Sequence, residues 1–320
     1  MLSSNNELAA IQANIGRVIK GKAAAVELLL VALLAEGHVL IEDVPGVGKT
    51  TLAKALAASL NLTFRRVQFT PDLMPSDITG FQVYNAATGE FRFQPGPVFT
   101  HILLADELNR TAPRTQAALL ECMEERQVTA DSQTITLPRP FLVLATQNPI
   151  DLEGTYPLPE AQLDRFLLKI ALGYPDEAAE LAVLSSDHTE PAQLEPVMGS
   201  AAVLQLQDES RAVFVHPDLD RYILALVRAT REHPALSLGA SPRAALALRR
   251  AAQALARLRG RTFVLPDDIQ YLCQFVLTHR LLLANSAALK GATAAAVLAT
   301  ILASLPVPAL EGRPHAAPAD

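Results

Sequence analysis

Cysteine is scarce in this chain of 320 residues. The two that occur, Cys122 and Cys273, are far apart and lack C-x-x-C spacing, which excludes a disulfide framework and a thiolate zinc site. The seven histidines are scattered and form no ligand pair at helical spacing, so each reads as a surface or core residue. Long apolar runs are missing too. The most membrane-like stretch, Ala294 to Leu305, falls short of the roughly 18 apolar residues a spanning helix needs and reads as a buried helix, so no membrane insertion is expected. Positive charge is not in excess. A net charge of −6 argues against nucleic acid as a partner. Residues Met1 to Ala10 are polar and acidic rather than a basic segment followed by an apolar core, which predicts a cytoplasmic protein.

Half of the residues are hydrophobic, enough for a sizeable core and two domains. Leu8, Ile11, Ile15, Val18 and Ile19 recur at helical spacing, Gly21 breaks the pattern, and Ala23 to Ala35 continues as a second helix. Strands then alternate with helices to about Ala171, the pattern of a parallel sheet with crossover helices. Gly173-Tyr174-Pro175 ends the alternation. From Asp176 the chain is rich in Ala and Leu at helical spacing, with short apolar runs near Val197 and Phe214 and no other convincing strand. The expected layout is an α/β core over 1–175, an α-helical lid over 176–305 and a fraying tail over 306–320. Two hairpins interrupt the core, one from Gly80 to Tyr84 and Glu90 to Gln94, the other from Gln127 to Thr129 and Gln133 to Leu137. Both could simply cover sheet edges.

The chemistry concentrates at the ends of three apolar runs. After His38-Val39-Leu40-Ile41 come Glu42-Asp43-Val44 and then Pro45-Gly46-Val47-Gly48-Lys49-Thr50-Thr51, a strand entering a glycine turn at a helix start. Such a turn cradles polyphosphate: Gly46 and Gly48 let backbone N–H groups curl around it, Lys49 meets the β and γ phosphates, and Thr50 offers a hydroxyl to Mg²⁺. Pro45, Val47 and Thr51 complete the nucleotide-binding segment. Asp43 occupies the position where the strict G-x-x-x-x-G-K-[ST] pattern has glycine, which leaves an ordinary strand-to-helix turn as the alternative. The run His101 to Ala105 ends in Asp106-Glu107. Asp106 is placed to hold the Mg²⁺ water shell and Glu107 to polarise an attacking water, or the pair could cap the next helix. The run Pro140 to Thr146 delivers Gln147-Asn148-Pro149, where Asn148 could hydrogen-bond a γ phosphate or serve as an Asn-Pro turn.

Together with Thr70 to Gly80, Ala105 to Arg110, Ala145 to Pro149, Pro159 to Phe166 and Gly239 to Arg243, the segment Glu42 to Thr50 resembles the MoxR group of AAA+ ATPases, in one order along nearly the whole chain. The resemblance implies an AAA+ parallel sheet followed by a helical lid, and ATP hydrolysis with Mg²⁺. It implies Asn148 as a first sensor and Arg243 as a second, in its own subunit or the next. Arg165, in Leu163-Asp164-Arg165-Phe166, would be an arginine finger inserted into a neighbouring subunit; the alternative is a salt bridge to Asp164 or a neighbour. It further implies self-association into a ring, with a hexamer expected, whose central channel both hairpins face. The work would be on protein clients: remodelling, maturation, or insertion of metal or cofactor, with a von Willebrand A domain protein among the candidate partners. A nucleotide-dependent switch and a chelatase-type or DNA-dependent motor are the alternatives. Arg243, Arg250 and Arg257 recur every seven residues, and apart from Arg243 they read as a solvated or inter-subunit face.

Overall fold

The computed structural model describes residues 4–44, 46–130, 133–148, 154–174, 177, 180–181 and 190–309. Pro45, Pro149, the expected division at 175–176 and most of the expected tail lie outside these residues. The chain packs as two compact units, Met1–Gln205 and Leu206–Asp320.

The first unit begins with the two expected helices, α1 (Ser4–Val18) and α2 (Ala23–Leu34). α2 is apolar almost all round, and nine of its twelve residues are buried. Strand β1 (Val39–Glu42) follows, then α3 (Lys49–Ser59) and β2 (Phe64–Gln68). A short α4 (Pro75–Thr79) leads into the first hairpin, β3 (Gly80–Asn85) and β4 (Glu90–Pro95), paired antiparallel from Gly80 opposite Pro95 to Asn85 opposite Glu90. Beyond β5 (Ile102–Asp106) and α5 (Pro113–Glu125) comes the second hairpin, β6 (Gln127–Ala130) and β7 (Gln133–Thr136). β8 (Leu142–Gln147), α6 (Glu160–Leu163) and β9 (Leu168–Ile170) complete the sheet.

The five sheet strands are all parallel, in the order β2-β5-β8-β1-β9. β5 and β8, interior to the sheet, are buried on both faces, which is why they read as unbroken apolar runs rather than as alternation. Edge strand β2, Phe64-Arg65-Arg66-Val67-Gln68, is exposed at both arginines and at Gln68. Its charged side chains suit an edge that must not pair with another chain. On one side of the sheet, Leu40, Leu103, Val143 and Ala145 pack with Phe69, Leu119, Leu120, Met123 and Phe166 in a continuous core.

Of the two places open to the histidines, surface or core, His38 takes the core. Its Nε2 lies 3.0 Å from the Met123 carbonyl and its Nδ1 accepts the Val143 N–H at 3.0 Å, so the neutral ring donates from Nε2. Burial, aided by the nearby Arg126 charge, pushes its pKa down to about 4, against a smaller opposing effect of the Met123 bond.

The second unit is mainly helical. α7 (Ser200–Arg211) enters it, and α8 (Pro217–Glu232), α9 (Pro242–Leu258), α10 (Pro266–Leu277), α11 (Asn285–Ala288) and α12 (Ala294–Ser304) follow. Proline opens α8, α9 and α10 in the first turn, where its missing N–H is no loss. Ser241 caps α9 by accepting the Ala244 N–H at 3.2 Å. Two features depart from the sequence reading. Leu236–Leu238 and Leu282–Leu283 pair as a small antiparallel ribbon, too short for either strand to show a period of two. Arg257 does not lie on a solvated face. It is 8% exposed and clamps Glu209 through Nε at 3.0 Å and Nη2 at 2.6 Å. Seven residues fall about 20° short of two helical turns, so the drift doubles from Arg243 to Arg257 and carries the latter to the packed side.

Candidate active site

Parallel register brings the polar strand ends to one edge of the sheet. Glu42 lies opposite Gln147, and Gln68 opposite Asp106. Beyond these ends is a cavity of about 390 Å³, a size suited to a small-molecule ligand. Eight residues expected from the sequence line it: Gly46, Gly48, Lys49, Thr50 and Thr51 from the loop and α3, Asp106 and Glu107 after β5, and Asn148 after β8. Three more, Arg66, Gln68 and Thr146, line it without having been singled out. Val47 is not among the lining residues, nor is Arg165. Arg243 belongs to the second unit, exposed in the first turn of α9.

The loop needs its glycines for conformation rather than for space. Gly46 and Gly48 have φ of +86° and +89°, yet a Cβ added at either would meet nothing within 4 Å. Gly48 is the N-cap of α3 and has no side chain to occupy the helix's first N–H groups, which form the positive end of the helix dipole. Lys49 Nζ donates to the backbone carbonyl of Asp43 at 2.8 Å.

The acidic pair is held by a hydroxyl and an arginine. Thr146, 1% exposed, donates to Asp106 Oδ1 at 2.6 Å and accepts the Glu107 backbone N–H at 2.8 Å. One hydroxyl therefore fixes both residues. The Arg66 guanidinium donates to Asp106 Oδ2 from Nε at 3.0 Å and from Nη2 at 2.7 Å, and Nη2 also reaches Gln68 Oε1 at 2.7 Å. Glu107 adopts the left-handed backbone conformation, φ 57° and ψ 48°, uncommon outside glycine and asparagine. Its Oε2 accepts the Gln68 amide at 2.6 Å and pairs with Arg110 Nε at 3.2 Å. Gln68 and Thr146 were legible in one respect: each is a polar residue at the end of a parallel strand, where ligands bind in open α/β sheets.

Arg165 pairs with Glu124, Nε to Oε2 at 3.2 Å, and both side chains are about one-third exposed. Within one chain the arginine therefore makes a salt bridge with a neighbour, one of the two readings its sequence allowed. Exposed pairs of this kind hold weakly, about 0.2–1 kcal/mol.

The profile described as "ATPase family associated with various cellular activities (AAA)" matches residues 38–168, and "AAA lid domain" matches residues 228–301. Chaperone MoxR1 of Mycobacterium tuberculosis is 42% identical over 308 residues, covering 93% of this chain and 82% of its own. The chain belongs to the MoxR family of AAA+ ATPases. Protein MoxR of Methylorubrum extorquens is 33% identical, with 88% of this chain and 90% of that one covered. YeaC of Bacillus subtilis, whose function is uncharacterized, is 52% identical over 92% of this chain and 93% of its own. A crystal structure of a Cytophaga hutchinsonii protein, 40% identical, superposes with a TM-score of 0.89 and covers 95% of this chain and 96% of that one. This MoxR-family protein is thus a nucleotide-binding ATP hydrolase of a chaperone family, built as an AAA domain followed by a lid. Among the described residues, no helix is long and apolar enough to cross a membrane.

Proposed function

We propose that this MoxR-family ATPase is a ring-forming motor, a hexamer, in which Lys49 binds the nucleotide phosphates, Glu107 activates the attacking water and Arg165 completes the site of the next subunit. The observation that supports this most is the division of the polar and charged groups: Lys49, Thr50, Asp106, Glu107 and Asn148 line one cavity, while Arg165 lies outside it on a weak surface pair. A guanidinium held elsewhere by an exposed carboxylate is available to a neighbour at little cost.

Thr50 and Asp106 suit Mg²⁺ by their chemistry. They are hard oxygen donors, and among the described residues no group of three or more His, Cys, Asp or Glu could hold a metal. Mg²⁺ takes one or two protein oxygens and fills its shell with water and phosphate. When bound, Mg²⁺ supplies charge neutralisation at the β and γ phosphates. The chain's own groups do the rest. Glu107, held by Gln68 and Arg110, orients and polarises the water. Asn148 hydrogen-bonds the γ phosphate or that water, and Arg243 acts as a second sensor.

Hydrolysis would drive work on protein clients inside the cytoplasm: remodelling, maturation, or metal and cofactor insertion, with a von Willebrand A domain protein as one candidate partner. The name of the 42% identical relative, a chaperone, supports a protein client. So does the first hairpin, which exposes Phe81, Val83, Tyr84 and Phe91 at 43–71%. Such exposed apolar surface on a hairpin suits transient contact with unfolded or partly assembled protein.

The test is subunit mixing. Arg165→Ala protein should bind ATP and hydrolyse it poorly, and Lys49→Ala protein should not bind. Mixed under conditions of subunit exchange, the two should regain activity, because interfaces joining an intact loop to an intact arginine form again. An arginine supplied in trans is worth about 10³-fold in rate, so a minority of repaired interfaces rises above background. No recovery, with activity linear in protein concentration, would place Arg165 in its own subunit and favour a nucleotide-dependent switch.

A further inference from the structure

The residue that breaks the phosphate-loop pattern, Asp43, is 8% exposed and fully engaged. Its Oδ1 accepts the Val44 N–H at 2.9 Å, and its Oδ2 accepts two more backbone donors, from Leu172 and Gly173, at 2.6 Å each. Leu172 and Gly173 follow β9, the strand paired with β1 on its outer side. The carbonyls of the same short stretch meet a single cation. Lys22 Nζ, from the N-cap of α2, donates to Leu172 O at 2.7 Å, Gly173 O at 3.1 Å and Tyr174 O at 2.6 Å. A carboxylate thus takes two of the N–H groups and an ammonium all three C=O groups of one three-residue segment. Both are charge-assisted, the strong class of hydrogen bond.

The same Asp43 bears on the loop through its backbone. Its N–H donates to Gln147 O at 3.2 Å, and its carbonyl is the acceptor for Lys49 Nζ. Fixing the carboxylate therefore fixes the peptide that holds the loop lysine. We propose that Asp43 and Lys22 are positioning residues for the phosphate loop, anchoring its entry to Leu172–Tyr174 so that the Asp43 carbonyl holds Lys49 oriented for incoming phosphate. This rests on the reading that Lys49 binds nucleotide. Glycine at position 43 would permit the turn but could make none of the side-chain bonds, which gives the departure from the pattern a physical reason.

Asp43→Asn keeps the shape but presents an NH₂ in place of one acceptor oxygen, and Lys22→Met keeps the stem but not the charge. The measurements are titration of a fluorescent ATP analogue, the KM and kcat of hydrolysis, and hydrogen exchange of the peptide containing Leu172 to Tyr174 in the nucleotide-free protein. Asp43→Asn should weaken analogue binding about tenfold, the scale of one charge-assisted hydrogen bond, and should raise KM more than it lowers kcat. Exchange at Leu172 and Gly173 should become faster. Lys22→Met should shift both readouts the same way, and the double variant should cost less than the two singles combined, since both act on one segment. A folded Asp43→Asn protein with unchanged analogue affinity overturns the proposal, as does a loss confined to thermal stability. Lys49→Ala keeps the two readings apart. If it abolishes binding while Asp43→Asn changes nothing, only the anchoring fails; if it binds normally, the nucleotide reading itself fails.

Discussion

Replacing Thr146 by valine removes one hydroxyl and two hydrogen bonds while keeping the branched shape. The backbone N–H of Glu107 loses the acceptor at 2.8 Å, and Asp106 Oδ1 loses the donor at 2.6 Å. Leaving a buried donor unpaired costs about 1–3 kcal/mol, and a bond to a charged acceptor contributes about 1.5–3 kcal/mol. Asp106 keeps Arg66 as a partner, so the second loss is partly compensated, and a net destabilisation of about 3 kcal/mol is expected. Activity should suffer separately from stability. Glu107 sits in a left-handed conformation that this hydroxyl helps to fix, and a displacement of about 1 Å at a reacting group can cost 10²-fold. Thr146→Val should therefore lower kcat by about 10- to 100-fold with a much smaller change in KM, because Lys49 and the loop are untouched. Steady-state hydrolysis, measured well below the variant's own melting temperature, separates the two effects. A folded variant whose kcat stays within twofold of the parent would refute the idea that Thr146 holds the acidic pair in its working geometry.

Glu107→Gln should keep analogue binding and lose about 10²-fold or more in kcat, because the amide can still accept the Gln68 bond but cannot polarise water; turnover at the parent rate would remove Glu107 from its role. His38 makes the fold acid-sensitive. Its pKa lies at about 4 in the folded chain and near 6.5 when unfolded, so the neutral ring stabilises fully above pH 6.5, and about 3 kcal/mol is lost as pH falls from there to about 4. Urea unfolding across that window should show a one-proton slope that His38→Asn flattens, and an identical slope in the variant would contradict it.

The three strands that carry the loop, the acidic pair and Asn148 were legible because burial on both faces makes each an unbroken apolar run with a polar end. β2 was not. As an exposed edge it alternates neither cleanly nor apolarly, and its arginines hide the fact that Arg66 and Gln68 reach the cavity. Arg257 misled for a geometric reason, since a repeat of seven drifts around a helix of 3.6 residues per turn. Arg165 shows a different boundary. Leu163-Asp164-Arg165-Phe166 presents a guanidinium without specifying its partner, and the salt bridge it makes within the chain is to Glu124, far away in sequence.

Asp43 and Thr146 mark what one-dimensional reading could not reach. Each acts on residues distant in sequence and adjacent only through parallel pairing: Thr146 on Asp106 and Glu107, Asp43 on Leu172 and Gly173. No window of sequence contains the site. Its parts end β2, β5, β8 and β1, four strands that stand side by side in the sheet but in a different order along the chain, and register alone sets their heights. Because side chains alternate along a strand, a slip of one residue between β5 and β8 would turn Thr146 away from Asp106 and leave the Glu107 N–H without its acceptor. The glycine loop can form on any strand-to-helix turn. Here the acid pair depends on the sheet, so with the roles proposed for Asp106 and Glu107 the register that brings Thr146 to Asp106 is the feature on which hydrolysis, as distinct from nucleotide binding, would rest.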